Sequence, residues 1–275
     1  MHLFYSVSLA WGKIQDERQI RCLLVHLEPT LCYESVSKWL ILLAKQHIDT
    51  SMRILLSDEI RNACPDFCGL AVLARVQNSA YCEPLWEEIE RFTADYRARY
   101  TTDSIKSMRP IQATREAYKR CGKDPSRYRP SSEALCRRIL KGSPLYQIDT
   151  LVDLINVVSI ASGYSIGGFD ADKIEGDTLT LGIGRPGEPY EGIGRGMLNI
   201  EGLPVYRDAL GGIGTPTSDH ERTKLTLGTT RLLAIINGYS GREGLEEAGA
   251  YLQDLLRRHA GSDGGTVIRF GGMDN

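Results

Sequence analysis

The sequence predicts an α+β domain, and three features of its 275 residues predict it. Amphipathic helical patterns fill the stretch from Pro84 to Ala161, a glycine-punctuated series of short strands follows Gly163, and one more amphipathic helix ends at His259. Helices and strands that come in blocks, rather than in strict alternation, point to a central sheet-rich layer flanked by helices. The composition, 42% hydrophobic and 25% charged, is that of an ordinary globular chain.

Residues 1–51 hold short apolar runs, Cys22 to Val25 and Trp39 to Leu43, with few helix caps, and are read as an N-terminal extension to a single domain over 52–260. A strand is expected from Met52 to Leu56, a turn around Pro65 and a second, buried strand from Gly69 to Val76. Between Pro84 and Tyr100 the apolar residues Leu85, Ile89, Phe92 and Tyr96 recur at helical spacing, with Glu87, Glu88 and Glu90 near the amino end, where negative charge suits the helix dipole. A second helix, Pro110 to Arg120, stops at Gly122; a third, Ser131 to Leu140, has Ser131 or Ser132 as cap and Gly142 as stop.

The segment Ile148 to Ala161 is apolar nearly all round, except that Asp153, Asn156 and Ser159 recur every third residue. It reads as a buried helix whose polar stripe is either satisfied by neighbouring backbone or turns Asn156 toward a polar pocket. Strands are expected at Tyr164–Phe169, Thr178–Ile183, Gly196–Ile200 and Pro204–Asp208, separated by turns such as Glu175-Gly176-Asp177. The closing helix, Glu243 to His259, gathers Leu245, Ala248, Leu252, Leu255 and Leu256 on one face, and residues 261–275 are expected to be a disordered tail.

A net charge of -2 and a pI near 6.2 give no global attraction to nucleic acid or anionic lipid, so any such attraction comes from local patches. Seven cysteines, an odd number with no secretory leader before them, read as reduced thiols of a cytoplasmic protein. Cys64 and Cys68 have a ligand-like spacing, but Pro65 interrupts it and no second cysteine pair completes a zinc set, so no metal or other cofactor is expected. The apolar stretch Val36 to Leu43 contains Ser37 and Lys38 and is far shorter than the roughly 20 residues a membrane span needs.

Two segments carry the candidate chemistry. From Lys106 to Lys141 eleven lysines and arginines face only Glu116, Asp124 and Glu133. Arg115, Lys119, Arg127, Arg129 and Arg137 are the candidate RNA contacts, with Tyr118 and Tyr128 as stacking surfaces, because forked guanidinium donors suit phosphate. The alternative is a solvated helical surface with ordinary ion pairs. From Gly211 to Thr226 the chain combines Gly211, Gly212, Thr215, Thr217, Ser218, Asp219, His220 and Arg222. Glycines let backbone N–H groups approach a ligand, the hydroxyls donate or accept, and Asp219 and Arg222 are expected to pair and hold the loop. Asp219, Arg222 and Thr223 read equally well as a loop-fixing network, and His220 as a surface residue. No nucleophile elbow, phosphate loop or zinc-protease helix is present, which argues against triad chemistry and nucleotide hydrolysis. Hydrolysis of an activated ester needs no protein nucleophile if water is held by backbone donors and hydroxyls.

Arg109-Pro110, Glu116-Ala117-Tyr118, Asp124 through Leu135, Leu151-Val152-Asp153 to Asn156, Gly168-Phe169-Asp170 and the Pro216-Thr217-Ser218-Asp219 to Arg222-Thr223 loop together resemble the B3/B4 domain family. This family supplies the domain with which phenylalanyl-tRNA synthetase β subunits edit tyrosine mischarged onto their tRNA, and it also occurs as stand-alone proteins. The resemblance runs from about Met52 to Ser240 and implies an α+β fold. It also implies a pocket between the polar helix face and the glycine loop, and the aminoacylated 3′ end of a tRNA as ligand, with no part for DNA or a membrane. Asn156 then matches a pocket asparagine, and Gly211-Gly212 matches a glycine pair. Thr217, Ser218 and Asn156 become the catalytic candidates, with Gly167, Gly168, Gly211, Gly212, Thr215, Asp219 and Arg222 as substrate contacts. Two positions depart from the synthetase pattern: Gly167 stands where it has a histidine, and Thr217 falls near its tyrosine-recognising acid. The aminoacylation core has no counterpart, so the chain resembles a free-standing editing-like module; the alternative is a noncatalytic tRNA- or amino-acid-binding module.

Overall fold

Two four-stranded sheets and six α-helices make up residues 52–272, the part of the chain that the computed structural model describes. The expected extension over 1–51 lies outside the described residues. The first sheet has the order β1 (Arg53–Leu56), β4 (Thr178–Ile183), β7 (Pro204–Arg207), β8 (Gly212–Gly214); the second has the order β10 (Thr266–Gly271), β2 (Cys68–Arg75), β9 (Arg231–Gly238), β3 (Ile166–Asp170). β1 runs parallel to β4, and every other pairing in the two sheets is antiparallel. A short hairpin, β5 (Glu191–Gly192) and β6 (Gly196–Met197), is a two-stranded sheet of its own, bridged to the loop after β8 through Gly192 and His220.

β2 and β9 are the centre of the molecule, paired over their whole length from Cys68↔Gly238 to Arg75↔Arg231. Because successive side chains alternate across a sheet, Leu70, Val72 and Ala74 of β2 share one face with Leu232, Ala234 and Ile236 of β9. That face joins the core formed with α2 (Glu83–Arg99), α5 (Thr150–Ser162) and α6 (Leu245–His259). The other face meets the first sheet, where the Tyr206 hydroxyl donates to Asn237 Oδ1 at 2.8 Å and the rings of Tyr206 and Phe270 stand edge to face. A helical layer, a four-stranded sheet and a second sheet therefore stack in that order. Burying a leucine or isoleucine here stabilises the fold by about 1.5–3 kcal/mol each.

The helices form for the reasons expected, with local differences. Ser57 caps the short α1 (Asp58–Ala63), a turn-like segment not foreseen as helix. α3 (Arg109–Arg120) begins with proline in its first turn, and α5 is capped by the Asp149 carboxylate on Val152 N–H at 2.9 Å and ended by left-handed Gly163. α4 (Ser131–Leu140) corrects the capping expectation: Pro130 is the cap, and the buried Ser132 hydroxyl instead meets Ser165 Oγ at 3.2 Å. The strand expected over Gly196–Ile200 is only the two residues of β6.

The expected disordered tail is also corrected. Residues 266–271 form β10, which pairs with β2 from Thr266↔Leu73 to Gly271↔Cys68. Phe270 lies across Gly69, where a Cβ would sit 2.1 Å from the ring, so the glycine creates the seat that draws the tail into the sheet. No helix among the described residues is long and apolar enough to cross a membrane.

Candidate functional site

The loop after β8 is built around one side chain. Thr215 Oγ1 accepts the N–H groups of Thr217 and Ser218 at 3.3 and 3.1 Å and lies 3.0 Å from the Ser218 carbonyl, to which the Tyr190 hydroxyl also donates at 2.7 Å. A bridge between Gly214 and Asp219 closes the turn. Thr217 is held from below, its Oγ1 2.9 Å from the hydroxyl of the fully buried Tyr118 on α3. The Ser131 N–H donates to the Pro216 carbonyl at 2.8 Å, so the start of α4, with Arg127 and Tyr128 just before it, is fastened to the same loop.

These links open a cavity of about 440 Å³ lined by Arg127, Tyr128 and Arg195 together with Leu198, Leu203, Thr215 and Thr217. No carboxylate lines it. Neither Arg127 nor Arg195 has a side-chain hydrogen bond or ion pair among the described residues. Arg195 sits in the β5–β6 turn between two left-handed glycines, Gly194 and Gly196. Behind Tyr128 lies a buried cation: the Lys123 ammonium is 3.9 Å from the ring centroid and donates to the carbonyls of Asn199 and Glu201 at 2.8 and 2.6 Å. Burial pushes that ammonium below the usual lysine range.

The remaining expected residues separate into those near this cavity and those that only support it. Asp219 does not pair with Arg222. Its Oδ2 accepts the Gly168 N–H at 3.1 Å, and its Oδ1 lies in space left by Gly167 and Gly214, where added Cβ atoms would come within 3.3 and 3.0 Å. Burial raises this carboxyl to about 7. Gly167 also faces the Phe169 ring, 2.7 Å from where its Cβ would be, so any side chain at this position, histidine included, requires the ring to move. Arg222 instead holds Asp208 with both terminal nitrogens at 2.9 Å and reaches the Lys173 carbonyl, because the Asp208 side chain has no exposed surface and takes the forked donor. This is the loop-fixing alternative. His220 caps the following turn through Nδ1, and burial lowers its ring pKa.

Ser218 directs its hydroxyl to the Asp219 carbonyl, and Gly212 supports the Tyr190 ring. Gly211 takes a positive φ and donates its N–H to Asp208 Oδ1 at 3.1 Å. Asn156 is half-buried on α5 and is not part of the cavity lining. Its stripe mates are satisfied locally: Asp153 by Trp86 Nε1 and the Ile148 N–H, Ser159 by the Tyr164 carbonyl. The cavity thus lies against the Arg127 segment and the β5–β6 hairpin, not against the polar face of α5.

The basic block divides in the same way. Arg115, Arg129 and Arg137 surround one buried carboxylate, Glu133, at 2.9, 3.5 and 2.8 Å. Three guanidinium groups on one carboxylate leave two positive charges in excess. Lys119 pairs with exposed Glu116, and Tyr118, being fully buried, is no stacking surface. Arg195 was not singled out from the sequence; its only signal there is its place between two glycines.

The architecture is that of an α+β domain with a basic cavity beside the loop after β8. The B3/4 domain family matches residues 113–251, just over half of the chain, and the chain belongs to that family. Among solved structures it is similar to an N-terminal fragment of the phenylalanyl-tRNA synthetase β subunit from Pyrococcus horikoshii, at 13% identity and a TM-score of 0.40, covering 78% of this chain and 50% of that one. The chain spans half of that fragment's length. No curated protein matches the chain.

Proposed function

We propose that this chain binds the aminoacylated 3′ end of a tRNA. In this reading Arg127 and Arg195 pair with backbone phosphate, Tyr128 faces the terminal nucleotide, and the hydroxyls of Thr215 and Thr217 face the acylated ribose. One observation carries the reading: two guanidinium groups without carboxylate partners and two threonines line the same cavity. The surplus charge around Glu133 extends that potential along α4. Membership of the B3/4 family supports it.

The test is binding of aminoacylated and uncharged tRNA at about 50 and about 200 mM salt, the range over which phosphate contacts weaken strongly. Binding at low salt that is lost in the Arg127→Ala/Arg195→Ala variant supports the proposal; no binding at low salt ends it.

Binding without turnover is favoured over ester hydrolysis by a second observation. Of the three expected catalytic groups, only Thr217 lines the cavity, while Ser218 and Asn156 do not. Incubation with a panel of mischarged tRNAs decides the point. Release of amino acid above that of the double-arginine variant would replace the binding reading with an editing one.

A further inference from the structure

A second cleft is lined by none of the residues of the basic cavity and holds about 430 Å³, within the range of roughly 300–1,000 Å³ usual for small-molecule sites. It forms where the first turn of α3, the last turn of α5 and the first turns of α6 meet. Pro110, Ala161, Tyr164, Ala248 and Tyr251 give it a largely apolar lining.

Its charged groups are unequal. Arg109 is ion-paired with Glu243, and the Tyr164 hydroxyl donates to the Glu243 carbonyl, so the charges at that corner balance. Glu246 and Glu247 both lie in the first turn of α6, where negative charge suits the helix dipole. Glu246 lies outside the cleft and gives its charge to Arg269 at 2.6 and 2.9 Å. Glu247 lines the cleft and has no hydrogen-bond or ion-pair partner among the described residues. The last turn of α5, which also borders the cleft, carries no basic residue, so its carbonyl end adds negative potential.

An apolar cleft with two tyrosines and one uncompensated carboxylate is complementary to a cation with a hydrophobic body. We propose that it binds an organic ammonium ion, with the ammonium on Glu247 and an aromatic or aliphatic body against the alanine and tyrosine walls. An anion of the same shape would meet Glu247 with like charge, and Arg109 is already occupied by Glu243.

Phenethylammonium and phenylacetate, alike in size and opposite in charge, make the test, titrated into the full-length protein while the Ala161 and Ala248 methyl resonances are followed. The expected result is that phenethylammonium shifts both methyls and phenylacetate neither. Glu247→Gln, at an exposed helix position that tolerates exchange, should weaken binding about two- to fivefold, as for an exposed charge pair; Glu246→Gln should leave it unchanged. Equal response to both probes, undiminished binding by Glu247→Gln, or no shift at these methyls overturns the proposal. None of these outcomes depends on tRNA binding.

Discussion

The Tyr118 hydroxyl and Thr217 Oγ1 lie 2.9 Å apart, and the tyrosine has no exposed surface. This bond joins α3 to the loop that lines the basic cavity, so Thr217 supports the fold as well as facing the site. Thr217→Ala strands a buried hydroxyl and should cost about 1–3 kcal/mol in urea denaturation, whereas Thr217→Ser should cost less because it keeps the partner. Equal stability of the alanine and serine variants would show that the bond contributes nothing. Any activity measured on Thr217→Ala has to be read against this loss.

Glu133 should behave as a buried hub. Glu133→Gln leaves three partly exposed guanidinium groups without their counter-charge and should destabilise the protein by about 1–3 kcal/mol. Arg129, the most exposed of the three and at 3.5 Å, should cost less than about 1 kcal/mol when changed to alanine. Thermal denaturation of the two variants checks the contrast.

The proposed tRNA binding predicts a salt dependence that runs through Arg127 and Arg195. Removing both should reduce the slope of log K against log salt by roughly 1.4–1.8, the value for two phosphate contacts. Lys119→Ala should change the slope much less, since Glu116 already neutralises Lys119. Filter-binding titrations across a salt series measure both.

Asp219 predicts the pH dependence. Its carboxyl is raised to about 7 in the folded chain against about 3.9 when unfolded. Between these values the folded state holds the proton and the unfolded state does not, so stability falls as pH rises from about 4 to about 7. The full shift would correspond to about 4 kcal/mol, and partial exposure reduces it to on the order of 2 kcal/mol. Asp219→Asn should flatten the stability profile over that window, and urea midpoints from pH 4 to 7.5 would reveal a slope that stays unchanged instead.

Much of this architecture was legible in the sequence because periodicity reports burial. The helix from Glu83 to Arg99 buries Leu85, Ile89 and Tyr96 as their spacing requires. The central strand β9 was missed: Leu232 to Ile236 is an unbroken apolar run buried on both faces, so it lacks the alternation that marks a half-exposed strand. β10 was missed because its neighbours are glycines and only Gly69, some 200 residues earlier, provides the seat for Phe270. At the site, residue types marked the Arg127 and Thr217 segments as candidates, but that the two line one cavity while Asn156 does not, and which ion pairs form, was not legible. Asp208 outcompetes Asp219 for Arg222, and Arg115 reaches Glu133 from another helix, contacts between separate segments that charge spacing does not encode; only Arg129 and Arg137, four residues either side of Glu133, stand at a spacing the sequence shows.

The pairing of β10 with β2 also covers a strand edge on which another copy of the chain could pair. With residues 266–271 removed, the N–H and C=O groups of β2 from Cys68 to Leu73 would become an open template on an eight-residue strand that is almost wholly apolar. A chain shortened past His259 should therefore stack edge to edge into soluble oligomers or precipitate, even though both candidate binding cavities lie wholly within the part retained. The closing strand thus withholds this apolar edge from a second copy.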